Sequence, residues 1–446
     1  YKQFILHLRS ALTSKYYLDH RRDKEQPPII QLLETICFWF YTKTNIQTYQ
    51  QNLTKHILVA GGYTNTKEDN YKNSSESAML QQLSQAVYEV NNMYHYIKKG
   101  KVLFAHPLYK RIYESYQGSH IWGQLDLQKE QSFPNLKFTL ANSSIENSQT
   151  HFIRMSTPTI KSNKDTKINP EFTAYINYLY LQNNTHIYFN FQDNRSLNIK
   201  SASTIMDYLK VTGINDEQYR SRAIENLSEQ ETFSSNLFVS TLGKDSHFYE
   251  RTAKYNAKQE NKTEFISTYI DIIFLNKNCG YYLCSNILKD QSEHRNYFSK
   301  TFSQLYEILF GHSDNIKDRE KQMFIEISYF FIIEYFSRRH NYVNLTCKDG
   351  IDRAGASHAV VYVMMLLVQI INSNISQDEF KDKIEQIPVI LFSDALCVKK
   401  REIVYSRIDI TISAITHLIN IAKKHPKKMK SLFAPLFFNT LTLPQH

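Results

Sequence analysis

The chain has 446 residues, with 53 Lys and Arg against 43 Asp and Glu, a formal charge of +10. A hydrophobic content of 42% supports a packed core and excludes wholesale disorder, and 11 Gly and 10 Pro exclude collagen-like and Gly/Pro-rich low-complexity chains. The five cysteines are too sparse for a disulfide framework, and none is spaced Cys-x2-Cys as in a zinc ribbon.

Elements follow in chain order. Residues 1–60 read as helical, with an apolar run from Ile29 to Phe40, and Asn65 to Ser77 reads as a polar loop. Ala78 to Lys99 is helix-like. From Lys101 to Asp193 short β-rich runs predict strands, at Lys137–Leu140, His151–Met155 and His186–Phe191. Residues 194–265 are polar and mixed, with helix-like pieces. Phe265 to Leu275 is ambiguous between helix and strand. Ile316 to Arg339 predicts a long helix, and Asn341 to Thr346 a strand with Val343 and Leu345 on one face. Ala356 to Ile371 is apolar nearly all round, which predicts a buried helix, and the part from Ser376 onward is mostly helical. No stretch reads as a membrane span. The pattern predicts an α/β (α+β) class: a central sheet flanked by many helices, with an inserted appendage near 194–300 and a helical C-terminal part, 376–446.

Between that last strand and the buried helix lies Cys347-Lys348-Asp349-Gly350-Ile351-Asp352-Arg353-Ala354-Gly355. A Cys-x5-Arg spacing by itself is a common coincidence, but a strand–loop–helix context gives it a physical purpose. Such a turn aims backbone N–H groups into an anion nest backed by a helix N-terminus, so the amides of Lys348, Gly350, Ile351, Ala354 and Gly355 are candidate phosphoryl contacts. The same field favours a Cys347 thiolate nucleophile. The planar fork of Arg353 suits two equatorial oxygens. Asp349 and Asp352 are candidate general acids for a leaving alkoxide. The Lys348 side chain either faces the pocket mouth, where it would hold a second phosphate, or is solvated.

This loop resembles that of the cysteine-based phosphoinositide phosphatases. Myotubularins carry Cys-Ser-Asp-Gly-Trp-Asp-Arg, Sac-type enzymes a related Cys-x-Asp-x-x-Asp-Arg, and both acids match here by position. The form Cys-Lys-Asp-Gly-Ile-Asp-Arg-Ala-Gly looks most like the SidP/SidF-type effector phosphoinositide 3-phosphatases of Legionella. The likeness covers about nine residues, with softer similarity around Arg154–Pro158 and Lys399–Asp409. It implies a cysteine-phosphatase-like sheet, a phosphocysteine intermediate, no metal and no cofactor. It also implies action on phosphatidylinositol 3-phosphate and 3,5-bisphosphate, and type IV delivery to a host cytoplasm, with peripheral action on endosomal or vacuolar membranes. Two departures stand out: Thr346 where tyrosine phosphatases carry His, and Ala354 where many members carry a Ser or Thr that steadies the thiolate. Thr346 and Ser357 are the candidate substitutes.

Further basic residues have a solvated or structural reading beside a functional one. Arg154, Lys399, Lys400, Arg401 and Arg407 are candidate contacts for inositol phosphates, and Lys423–Lys430, with five lysines in eight residues, is a candidate for an anionic leaflet. Lys244–His247 either mimics a mobile acid loop or is structural. No His-x3-His metal spacing and no nucleic-acid motif is present, so the expected partners are phosphoinositides in anionic membranes, without metal or nucleic acid. A phosphotyrosine-protein phosphatase and a catalytically inactive lipid-binding adaptor are the alternatives.

Overall fold

A computed structural model describes residues 28–29, 76–98, 135–142, 149–161, 166–192, 205–244, 260–275, 280–393, 395, 403, 405–436 and 438–442. Seven strands form one mixed sheet: β1 (Asn135–Asn142), β2 (Gln149–Arg154), β3 (His186–Asn190), β4 (Leu237–Leu242), β5 (Tyr281–Leu283), β6 (Tyr342–Thr346) and β7 (Phe438–Thr442). Their order across the sheet is β7-β1-β2-β6-β3-β4-β5. The four middle strands, β2, β6, β3 and β4, run parallel, and both margins are antiparallel. The main helices are α1 (Glu76–Lys98), α2 (Pro170–Leu181), α3 (Ile205–Ser228), α4 (Lys262–Leu275), α5 (Gln291–Phe310), α6 (Asp318–Ser337), α7 (Asp352–Ile371), α8 (Gln377–Ile384), α9 (Gln386–Ser393), α10 (Tyr405–Lys424) and α11 (Pro426–Phe433). The class is α/β.

Burial explains the choice of central strands. β3 is buried at every position and β6 at all but its first, as parallel strands covered on both faces require. α7 is buried from Arg353 to its end and packs against α1, α6, α9, α10 and α11. It is long and apolar enough to cross a bilayer, yet its apolar window lies wholly inside the molecule. α7 is therefore the core helix of this fold, and β6 delivers the chain directly to its N-terminus.

Several expectations change. The ambiguous stretch Phe265–Leu275 is helical, as part of α4. The Asn261 side-chain oxygen accepts from the N–H groups of Thr263 (2.9 Å) and Glu264 (3.3 Å), an N-cap that starts a helix. α2 lies inside the region predicted as strands; Pro170 opens it, at a first-turn position where its missing N–H costs nothing. α7 begins at Asp352, four residues earlier than its apolar pattern, so Asp352 and Arg353 belong to its first turn. The stretch 194–300 is no appendage, because it supplies β4 and β5 to the central sheet, and the helical C-terminal part closes the other margin with β7. Strand partners this far apart in sequence leave no local trace. The helices expected within 1–60, residues 28–29 apart, and the cluster Lys399, Lys400 and Arg401 lie outside the described residues.

Candidate active site

Cys347 stands where β6 stops, only 3% exposed, and forms an isolated parallel bridge with Ser156. The segment Met155–Thr157, just beyond β2, braces the loop from below. Thr346 Oγ1 donates to Met155 O (2.5 Å), Thr157 N to Lys348 O (3.2 Å) and Thr157 Oγ1 to Cys347 O (3.3 Å). Gln192 Nε2 in turn donates to Thr157 Oγ1 (2.5 Å), tying the brace to the end of β3. Thr346 is thereby committed to the backbone, which removes it as a candidate for steadying the thiolate. Ser357 is buried in α7, one turn beyond Arg353.

The loop turns sharply at Gly350. Its N–H donates to Cys347 O (3.0 Å) and its φ is +70°, a conformation costly for any residue with a side chain. A Cβ there would also lie 2.7 Å from Met155 O. Gly350 is thus required for the turn, and its amide is spent within the loop. Gly355 likewise donates to Ile351 O (2.8 Å) as the first α-helical bond of α7. The expectation that these two amides hold substrate is corrected: both close the backbone. Ile351 and Ala354 are buried, and the first-turn N–H groups of α7 point back toward the loop, where the helix dipole concentrates positive charge.

Arg353 projects from that first turn and is almost fully buried. Nη1 and Nη2 make a bidentate pair with Glu217 of α3, at 2.8 and 2.6 Å, and Nη1 also donates to Phe191 O at 3.2 Å. Burial by itself would depress the guanidinium. The carboxylates of Glu217 and Asp352 and the Cys347 thiol outweigh it and hold the group more firmly protonated than usual. Glu217 is the main residue that sequence reasoning missed. It sits in the polar stretch 194–265, 136 positions from its partner, with no motif around it. Lys348, Asp349 and Asp352 are half-buried at the rim of the loop.

Two further cations approach from behind. Lys244, two residues beyond β4, pairs with Glu326 of α6 at 2.6 Å, with both side chains at most 2% exposed. Arg407, near the start of α10, donates from Nη1 to Lys244 O at 3.2 Å. Burial lowers Arg407, and the Glu217 carboxylate opposes that. Arg353 and Arg407 thus both feel the Glu217 carboxylate, and Lys244 is paired with Glu326.

Arg154 does not join this group. It is buried, donates from Nη1 to Ile390 O (2.9 Å) and packs against Gly355, so it ties β2 to α7 and α9. The lysine-rich run lies elsewhere too. Arg407 begins α10 beside the loop, and Lys424 ends it 17 residues later, about 26 Å away at 1.5 Å per residue. Arg338, shortly before β6 begins, donates to Pro435 O just after α11. The run therefore sits at the edge of the sheet opposite Cys347. No family model, curated protein or solved structure matches this chain.

Proposed function

We propose that the protein is a metal-independent phosphoinositide 3-phosphatase working through a phosphocysteine. The observation that carries this reading is a single arrangement: a cysteine at the end of the central parallel strand β6, and an arginine in the first turn of a buried helix, joined by a braced five-residue loop. A thiolate phosphatase needs a nucleophile at the N-terminus of a helix and a firmly held guanidinium close by in sequence, and this arrangement supports that reading. The bidentate Glu217 holds the Arg353 plane, so little ordering is left for the substrate to impose.

In the first step Cys347 Sγ attacks phosphorus. The P–S bond forms as the bond to the inositol oxygen breaks, and Asp352 or Asp349 gives that oxygen its proton. In the second step water cleaves the P–S bond, releasing orthophosphate and restoring the thiolate. The 3-position, and phosphatidylinositol 3-phosphate and 3,5-bisphosphate as substrates, rest on the loop's resemblance.

The test is phosphate release from a panel of short-chain phosphoinositides and a phosphotyrosine peptide, comparing the native chain with Cys347→Ser. Cysteine-dependent release from 3-phosphorylated lipids is expected. Release from the peptide alone would move the protein to the phosphoprotein class. Lipid binding without release would leave an adaptor.

A further inference from the structure

The lysine-rich run plays no part in the proposed chemistry, and its surroundings give it a different use. Between Asp409 and His446 the sequence holds five lysines and no Asp or Glu. All five fall where α10 gives way to α11. Met429, Leu432 and Phe433 turn the apolar side of α11 into the core. Lys424, Lys427, Lys428 and Lys430 are exposed around that corner, and Lys423 is partly so. Lys423 Nζ donates to Gln81 Oε1 of α1 at 2.8 Å, a neutral partner. Among the described residues none of the five pairs with a carboxylate, whereas the exposed Arg319 and Lys381 meet Asp409 and Asp378. On the neighbouring α5, Gln304 Nε2 donates to Ser431 Oγ at 3.3 Å, and exposed Lys300 lies one turn before Gln304 on the same face. The acid on that side of α5, Glu307, is already held by Lys262 at 3.3 Å.

Helix stability does not account for this placement. Lys423 and Lys424 suit the C-terminal end of α10, but Lys427 and Lys428 occupy the first turn of α11. That is the positive end of the helix dipole, where carboxylates are favoured. We propose that the α10–α11 corner docks the protein on an anionic lipid bilayer, through lysine charge alone. Five lysines within eight residues is a density that draws a surface to an anionic leaflet. The apolar side of α11 is packed in the core and cannot insert, so the contact stays at the headgroups. The run has no arginine to fork onto a phosphate and no Phe, Tyr or Trp for a base to stack on, which favours lipid over nucleic acid. This docking does not depend on the reading of Cys347 as a nucleophile.

The experiment is co-sedimentation of the full chain with vesicles of phosphatidylcholine alone or mixed with phosphatidylserine, from low to physiological salt. Neither vesicle contains a phosphoinositide, so the candidate active site has no substrate there. Binding is expected only with phosphatidylserine, and weaker as salt rises. Replacing Lys427, Lys428 and Lys430 by Gln should weaken it about 10–100-fold, and replacing them by Arg should preserve it. A control of equal net charge, Lys167→Gln with Lys289→Gln and Lys381→Gln, also exposed, should bind as the native chain does, and so should Cys347→Ser. No binding to phosphatidylserine vesicles would overturn the inference, as would equal binding to phosphatidylcholine, equal loss in the control or loss in the Arg variant. A DNA duplex that displaces the vesicles through the same lysines at physiological salt would give the surface to nucleic acid instead. Phosphate release from monomeric short-chain phosphoinositides should be the same in the Gln variant and the native chain. Its absence from both would end the phosphatase reading and leave the docking surface standing.

Discussion

The fork of Arg353 has two carboxylate contacts but only one element, α3, holding them. Glu217→Gln keeps the side-chain volume but turns one of the two accepting oxygens into an amide donor, which breaks the bidentate contact. Phosphate release is expected to fall about 10–100-fold, because the guanidinium plane is no longer fixed before the substrate arrives. Steady-state kinetics on a short-chain phosphoinositide would show it mainly as a loss of kcat. Gly350→Ala tests the turn. The substitution sets a side chain at φ +70° against the Met155 carbonyl, so the loop or its brace must shift by several tenths of an ångström. The expected result is a folded protein by circular dichroism with activity near that of Cys347→Ser. Both effects are local, but only one was readable in advance. A glycine in a nine-residue loop announces a bend; a glutamate in a polar helix announces nothing.

At the scale of elements, the site is a meeting of chain segments rather than a loop alone. β6 delivers Cys347, β2 ends in the Met155–Thr157 brace, α7 carries Arg353 and α3 carries Glu217. Arg154 belongs to this scaffold, linking β2 to α9 across Gly355. Arg154→Met therefore separates two roles. A scaffold role predicts a lower melting temperature, worth about 1–3 kcal/mol for a broken buried hydrogen bond, with KM unchanged. A substrate contact would instead raise KM at unchanged stability. The sequence left Arg154, in a strand followed by Ser156-Thr157-Pro158, open between a pocket-facing and a structural role. Which face a strand residue takes depends on the sheet register, and that depends on partners nearly two hundred residues away.

At the scale of the whole molecule, charge and acid sensitivity are arranged by the sheet. The loop occupies the carboxyl edge of the parallel strands, and the Lys423–Lys430 run the opposite edge. His186 opens β3 near that same distant edge, fully buried. Burial first, and the neighbouring His340 second, pull its pKa down to about 3. The unfolded chain therefore binds a proton below about pH 6.5 that the folded chain refuses until about pH 3. Stability is complete above that window and declines as pH falls through it, by about 1.4 kcal/mol per pH unit. Urea unfolding at pH 7 and pH 5 is expected to differ by about 2 kcal/mol from this residue. His186→Phe should remove that share of the slope and leave the share of His340, which burial likewise pulls down to about 3.

The sequence by itself determined the local features. β6, the buried character of α7 and the cysteine-to-arginine loop between them were all legible, since strand alternation, all-round apolarity and a glycine turn are written in neighbouring residues. The α/β class followed from the same patterns. Tertiary structure alone decided which distant segments meet there. It placed Glu217 on Arg353, Lys244 beside Phe191, Arg407 behind the loop, Arg154 in the scaffold and β4, β5 and β7 in the sheet. Sheet order and ion pairing join residues far apart in the chain, and no short window of sequence encodes a partner it does not contain.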